Sequence, residues 1–141
     1  MDEDAEGLVA AARDALQHAY APYSGFPVGA AVLDGGGRVH TGCNVENASF
    51  GLSTCAERSA VFAMVRAGGR RIRAVAVACG GDKLPWPCGA CLQVIREFVP
   101  EEANPLVIAV DRDGRAESAL LDALSPPRHR FSFMAAPEEE V

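Results

Sequence analysis

Three cysteines in two short motifs limit the folds open to this chain more than any other feature. Cys55-Ala56-Glu57-Arg58 places a thiol, a carboxylate and a cation within one turn. Pro87-Cys88-Gly89-Ala90-Cys91 adds two thiols at a spacing that lets both sulfurs reach one ion. Both motifs open segments with helical periodicity, so a shared ion ties two helix N-termini to one point. Unpaired N–H groups and the macrodipole at such ends favour negative charge, which lowers thiol pKa values and prepares thiolates for a metal. Structural zinc takes four protein ligands, whereas catalytic zinc keeps three and leaves its fourth position to water or substrate. Cys55, Cys88 and Cys91 make a set of three.

The neighbours of Cys55 supply the rest of a hydrolytic site. Zinc lowers the pKa of a bound water from 15.7 to roughly 7, after which the hydroxide attacks an electrophilic carbon. Glu57 is not expected to be a ligand. At the first helical turn it leans over the open position, where a carboxylate takes the water's proton and passes it to a substrate nitrogen. Three thiolates leave one net negative charge on such a site. Arg58, one turn after Cys55 and on the same side, is placed to balance it. The competing readings are a solvated first-turn glutamate and an ordinary surface arginine.

Taken in order, the chain alternates helical and strand patterns. Apolar residues Leu8, Val9, Ala12, Leu16 and Ala19 predict an amphipathic helix from Asp4 to about Tyr20, ended by the turn Ala21-Pro22-Tyr23-Ser24-Gly25. Phe26 to Leu33 and Arg38 to Val45 predict a hairpin, and the first of these strands has so little polar alternation that both its faces should be covered. Thr54 is the expected N-cap of a helix from Cys55 to about Ala67. Ile72 to Cys79 predicts a buried central strand, Cys88 to Val99 a helix, and Leu106 to Val110 another strand. A short helix is expected near Glu117 to Leu124, and an extended, partly disordered tail from about residue 126 to 141. This order describes an α/β domain with a mixed sheet covered on two faces, its strand-helix-strand crossover making part of the sheet parallel.

With 141 residues and no linker or repeat, a single domain over 1–141 is expected. The net charge of -6 argues against nucleic acid or an anionic membrane as partner. No apolar run approaches the roughly 18 residues of a spanning helix, and the acidic start Met1-Asp2-Glu3-Asp4 is unlike a signal peptide, so a cytoplasmic location is expected. Five cysteines in a reducing compartment point to metal or reactive chemistry rather than disulfides. Cys43 and Cys79 are expected to be small buried hydrophobes, and His18, His40 and His129 to be incidental.

The Cys-x-Glu and Pro-Cys-x-x-Cys pair matches the zinc deaminase signature in its three-cysteine form. Together with Phe26-Pro27-Val28-Gly29-Ala30-Ala31 and Gly42-Cys43-Asn44-Val45-Glu46-Asn47, these motifs resemble the short-chain cytidine deaminase family from about Ala19 to Val110. The resemblance implies a three-layer α/β/α fold with about five strands, and hydrolysis of cytidine and deoxycytidine to the uridine forms with release of ammonia, in pyrimidine salvage. It implies one zinc ion per chain on Cys55, Cys88 and Cys91, with Glu57 as proton shuttle on matching positions. Phe26 would pack against the pyrimidine, Asn44 and Glu46 would hydrogen-bond the ribose hydroxyls, and Ala56 would offer backbone contact to the base. The resemblance also implies a homotetramer, the usual assembly of family members of this length. Two departures stand out: Leu92 replaces the arginine common after the second cysteine of the pair, and Leu124-Ser125-Pro126-Pro127 replaces Leu-Leu-Pro. The second departure leaves open whether Phe131 or Phe133 reaches a neighbouring subunit's site.

Three other readings share parts of these motifs. A deaminase of another aminopyrimidine nucleoside, such as a blasticidin-type substrate, would use the same zinc motif, but Asn44-Val45-Glu46-Asn47 counts against it. A thiol-disulfide oxidoreductase would use Trp86-Pro87-Cys88-Gly89-Ala90-Cys91, yet leaves Cys55 and Glu57 without a role. A non-catalytic zinc module needs Cys43, Cys79 or a histidine as fourth ligand.

Overall fold

The computed structural model describes residues 1–125. Helix α1 spans Glu3–Leu16, and its N-cap Asp2 accepts a hydrogen bond from the Ala5 N–H at 2.8 Å. The hairpin follows as β1 (Val28–Asp34) and β2 (Val39–Cys43). A 3-10 turn at Phe50–Leu52 leads into α2 (Ala56–Arg66). Then come β3 (Ile72–Cys79), α3 (Gly89–Glu97), β4 (Leu106–Val110), β5 (Ala116–Leu120) and the short α4 (Leu121–Leu124).

The strands form one mixed sheet in the order β2-β1-β3-β4-β5. The β3–β4 pair, joined through α3, is parallel, and the other three pairs are antiparallel. Strand β1 is buried on both faces beyond its first residue, as its uninterrupted apolar run requires. Alternate residues of β1 serve opposite layers. Ala31 and Leu33 pack with Leu8 and Ala12 of α1, while Ala30 and Val32 pack with Ala60, Val61 and Met64 of α2 and with Leu92 and Ile95 of α3. The result is the expected three-layer α/β/α arrangement. Leu92 is a buried member of the second layer's core, which suits an apolar side chain at that position.

Helix α2 lies unusually close to the hairpin. A Cβ on Gly42 would stand 2.4 Å from the Ala60 backbone nitrogen and 2.8 Å from the Ala56 carbonyl oxygen, so only glycine admits the helix at this depth.

Five expectations are corrected. Helix α1 ends at Leu16 rather than about Tyr20, which instead bridges to Val45, and Cys43 is half-buried rather than buried. The stretch Glu117 to Leu120 is not helix but part of the edge strand β5, where pairing with β4 overrides the helical propensity of Ala, Glu and Leu. Only Leu121–Leu124 is helical. The N-cap of α2 is Cys55 rather than Thr54, whose backbone is committed to Val45 through reciprocal bonds of 2.9 and 3.0 Å. His40 is not incidental: its Nε2 lies 2.7 Å from Oδ2 of the fully buried Asp34. The expected tail, His129, Phe131 and Phe133 lie outside the described residues.

Candidate active site

Cys55 and Cys88 are the N-cap residues of α2 and α3, and both hold extended backbone geometry that frees the thiol from the helix. The two helices thereby deliver three sulfurs to one place. The Sγ atoms of Cys55, Cys88 and Cys91 all lie within 4.8 Å of one another, with Cys88 and Cys91 3.5 Å apart. Arg58 Nη2 donates to Cys55 Sγ at 3.2 Å.

The electrostatics follow from this crowding. The hydrogen bond with Cys91 holds the Cys55 thiol down at about 5 against the opposing effect of burial, and the Arg58 guanidinium adds to the lowering. Cys91 is pushed far up, first by its bond to Cys55 and then by burial, so Cys55 carries the charge. Arg58 is held more firmly protonated by its contacts with Cys55 and Cys91. Glu57 is buried, with 5% of its surface exposed, and burial raises its carboxyl to about 7.

Three converging thiols, one already favouring the thiolate, beside a guanidinium are a donor set that fits zinc. Among the described residues they are the only group of three or more side chains able to share an ion. Neither Cys43, Cys79 nor a described histidine completes the set. Cys79 instead donates to the Lys83 carbonyl at 3.1 Å. A closed four-ligand module therefore has no fourth ligand among the described residues.

A cavity of about 290 Å³ opens beside the thiols. Its wall includes Cys55, Ala56, Glu57 and Cys88 from the two helix starts, Phe26 and Val28 leading into β1, and Asn44 and Glu46 after β2. The candidate residues thus meet around one space, while Cys91 and Arg58 touch the lining residues Cys88 and Cys55 without lining it themselves. Ser24, Val77, Pro85 and Trp86 also line it and were not singled out from the sequence as substrate contacts. Trp86, the single tryptophan, standing directly before Pro87-Cys88, was the available signal.

Asn44 and Glu46 also build the wall they belong to. Asn44 Oδ1 accepts from the Val28 N–H at 2.8 Å while its Nδ2 donates to the Phe26 carbonyl at 3.0 Å. Glu46 Oε1 accepts from the Tyr23 and Ser24 N–H groups, each at 3.0 Å, and Oε2 accepts from the Ser24 hydroxyl. The Ser24 hydrogen bonds hold the Glu46 carboxyl below the usual carboxylate range.

Comparison with known proteins agrees with this geometry. The sequence model of the cytidine and deoxycytidylate deaminase zinc-binding region matches residues 2–105. A cytidine deaminase of Sporosarcina psychrophila is 47% identical over 95 residues, covering 67% of this chain and 70% of the relative. One of Mycobacterium tuberculosis is 49% identical over 96 residues, covering 68% of this chain and 72% of that protein. Among solved structures, the cytidine deaminase of Burkholderia pseudomallei superposes with a TM-score of 0.80 at 41% identity, covering 89% of this chain and 98% of the other.

Proposed function

The chain belongs to the cytidine and deoxycytidylate deaminase zinc-binding family, and from that membership we propose that it hydrolyses the exocyclic amine of cytidine and deoxycytidine. The products are uridine or deoxyuridine and ammonia. The observation that carries this reading is the placement of a buried carboxyl, Glu57, in the same cavity wall as Cys55 and Cys88.

Cys55, Cys88 and Cys91 would hold the zinc ion, one per chain. When bound, the metal supplies Lewis acidity that makes a water a competent nucleophile near neutral pH. The chain's own residues do the rest. Water attacks C4 of the base as Glu57 takes its proton and delivers it to N3; Glu57 then moves the second proton to the amino nitrogen. The C4–N bond breaks, ammonia leaves and C4 becomes a carbonyl. A carboxyl raised to about 7 by burial exchanges protons readily in both directions at neutral pH. Such a shuttle is worth on the order of 10²- to 10⁴-fold. Arg58 keeps Cys55 ionised without entering the reaction.

Phe26 packs against the pyrimidine, and the Ala56 backbone meets its edge. Asn44 retains its second Nδ2 proton and Glu46 a free lone pair on Oε2, and these suit the ribose hydroxyls. The whole chain is read as one domain that acts on a free nucleoside as a cytoplasmic homotetramer in pyrimidine salvage. No described helix is long and apolar enough to cross a membrane.

The test is ammonia release by zinc-loaded protein from cytidine and deoxycytidine, with other aminopyrimidine nucleosides and a cytosine-containing oligonucleotide alongside. Turnover of the two nucleosides is expected. A protein that binds zinc and ignores both contradicts the substrate assignment.

A further inference from the structure

The loop leaving β3 runs directly behind the Phe26 ring. A Cβ on Gly81 would stand 2.7 Å from Phe26 Cε1, 3.4 Å from Cδ1 and 3.7 Å from Cζ. Gly80 meets the preceding turn in the same way, its Cβ position lying 2.9 Å from Pro27 Cγ. Neither glycine has a positive φ, so close approach rather than backbone conformation calls for them.

Neither backbone is free to give way. The Gly80 N–H donates to the Pro27 carbonyl at 3.0 Å, and the Gly81 carbonyl accepts from the Arg112 N–H at 2.9 Å. On the other side, the Phe26 N–H donates to Ser24 Oγ and its carbonyl accepts from Asn44 Nδ2, each at 3.0 Å. The ring itself is 40% exposed at the cavity and is the part able to move.

We propose that Gly81 is a positioning residue for base recognition: its missing side chain is the seat of the Phe26 ring. This rests on the reading that Phe26 packs against the pyrimidine. A side chain at 81 displaces the ring and weakens stacking on the base, while Glu57 and the thiols on α2 and α3 stay in place. Binding suffers and the chemical step does not.

The test combines cytidine kinetics of the zinc-loaded parent, Gly81→Ala, Phe26→Leu and the double variant with uridine titrations read by fluorescence of Trp86. Gly81→Ala raises KM and the uridine Kd about three- to tenfold with kcat within about twofold, the scale of a lost aromatic stack. In the Phe26→Leu background the same change adds less than about twofold, because the shared contact is already gone. If Phe26→Leu weakens binding and Gly81→Ala does not, the positioning role is overturned while the stacking reading stands. Equal effects of Gly81→Ala in both backgrounds overturn it too, since the action is then not through the ring. If Phe26→Leu changes neither KM nor Kd, the stacking reading fails and this proposal falls with it. Zinc content and thermal midpoint match the parent's in Gly81→Ala; loss of either overturns the proposal, because Gly81 then serves the loop.

Discussion

Arg58 Nη2 donates to Cys55 Sγ at 3.2 Å from one turn further along α2, so one helix start provides both a candidate ligand and a cation that adds to the ionising effect of Cys91 on it. Its Nε is buried without a partner among the described residues, which commits the side chain to this contact at some cost. Arg58→Ala should therefore weaken zinc retention roughly 10- to 100-fold, the range for second-layer partners of metal sites, as measured by chelator competition. Unchanged retention would mean that the Arg58 contact contributes nothing to holding Cys55 as a ligand.

Gly42 lets α2 approach β2 to backbone contact, and α2 carries Cys55, Glu57 and Arg58 at its start. Gly42→Ala forces the helix outward against Ala56 and Ala60 and should cost about 1–3 kcal/mol of stability, with a fall in zinc affinity. Denaturant unfolding and a zinc assay on one preparation check both effects together.

Asp34 is fully buried at the far end of β1. Burial raises its carboxyl, but the hydrogen bond to His40, the Arg38 N–H and the Arg38 charge outweigh this and leave it below the usual carboxylate value. A folded-state pKa below the unfolded one stabilises the fold above the unfolded value of about 3.9, and the gain is lost as pH falls through the folded value. Urea midpoints should therefore drop steeply on acidification below about pH 4. Asp34→Ala should flatten that limb and cost about 1–3 kcal/mol near neutrality, because the N–H groups of Gly36 and Arg38 lose their acceptor. A parallel acid limb in the variant contradicts this account.

Much of this was legible because it was local. The β-branched runs of β3 and β4 predict strands whose observed bounds agree, and the two cysteine motifs open helices as their spacing requires. What was not legible depended on pairing. Residues 117–120 carry helix-favouring side chains yet form an edge strand, because β4 offers an open row of backbone partners. The Asp34–His40 contact needs the hairpin register, which places the two residues across a turn. The double duty of Asn44 and Glu46, lining the cavity while bonding the Phe26–Val28 and Tyr23–Ser24 backbone, required the turn before β1 to be folded against the end of β2.

Glu57 carries the central claim, that a buried carboxyl beside an open three-thiol site moves the protons of hydrolysis. The most direct measurement is kcat for ammonia release from cytidine by Glu57→Gln, with zinc content determined on the same sample. The account predicts parent-like zinc content and a fall in kcat on the order of 10²- to 10⁴-fold, since glutamine keeps the shape and cannot carry a proton. A zinc-replete Glu57→Gln protein that releases ammonia within a few-fold of the parent would contradict it.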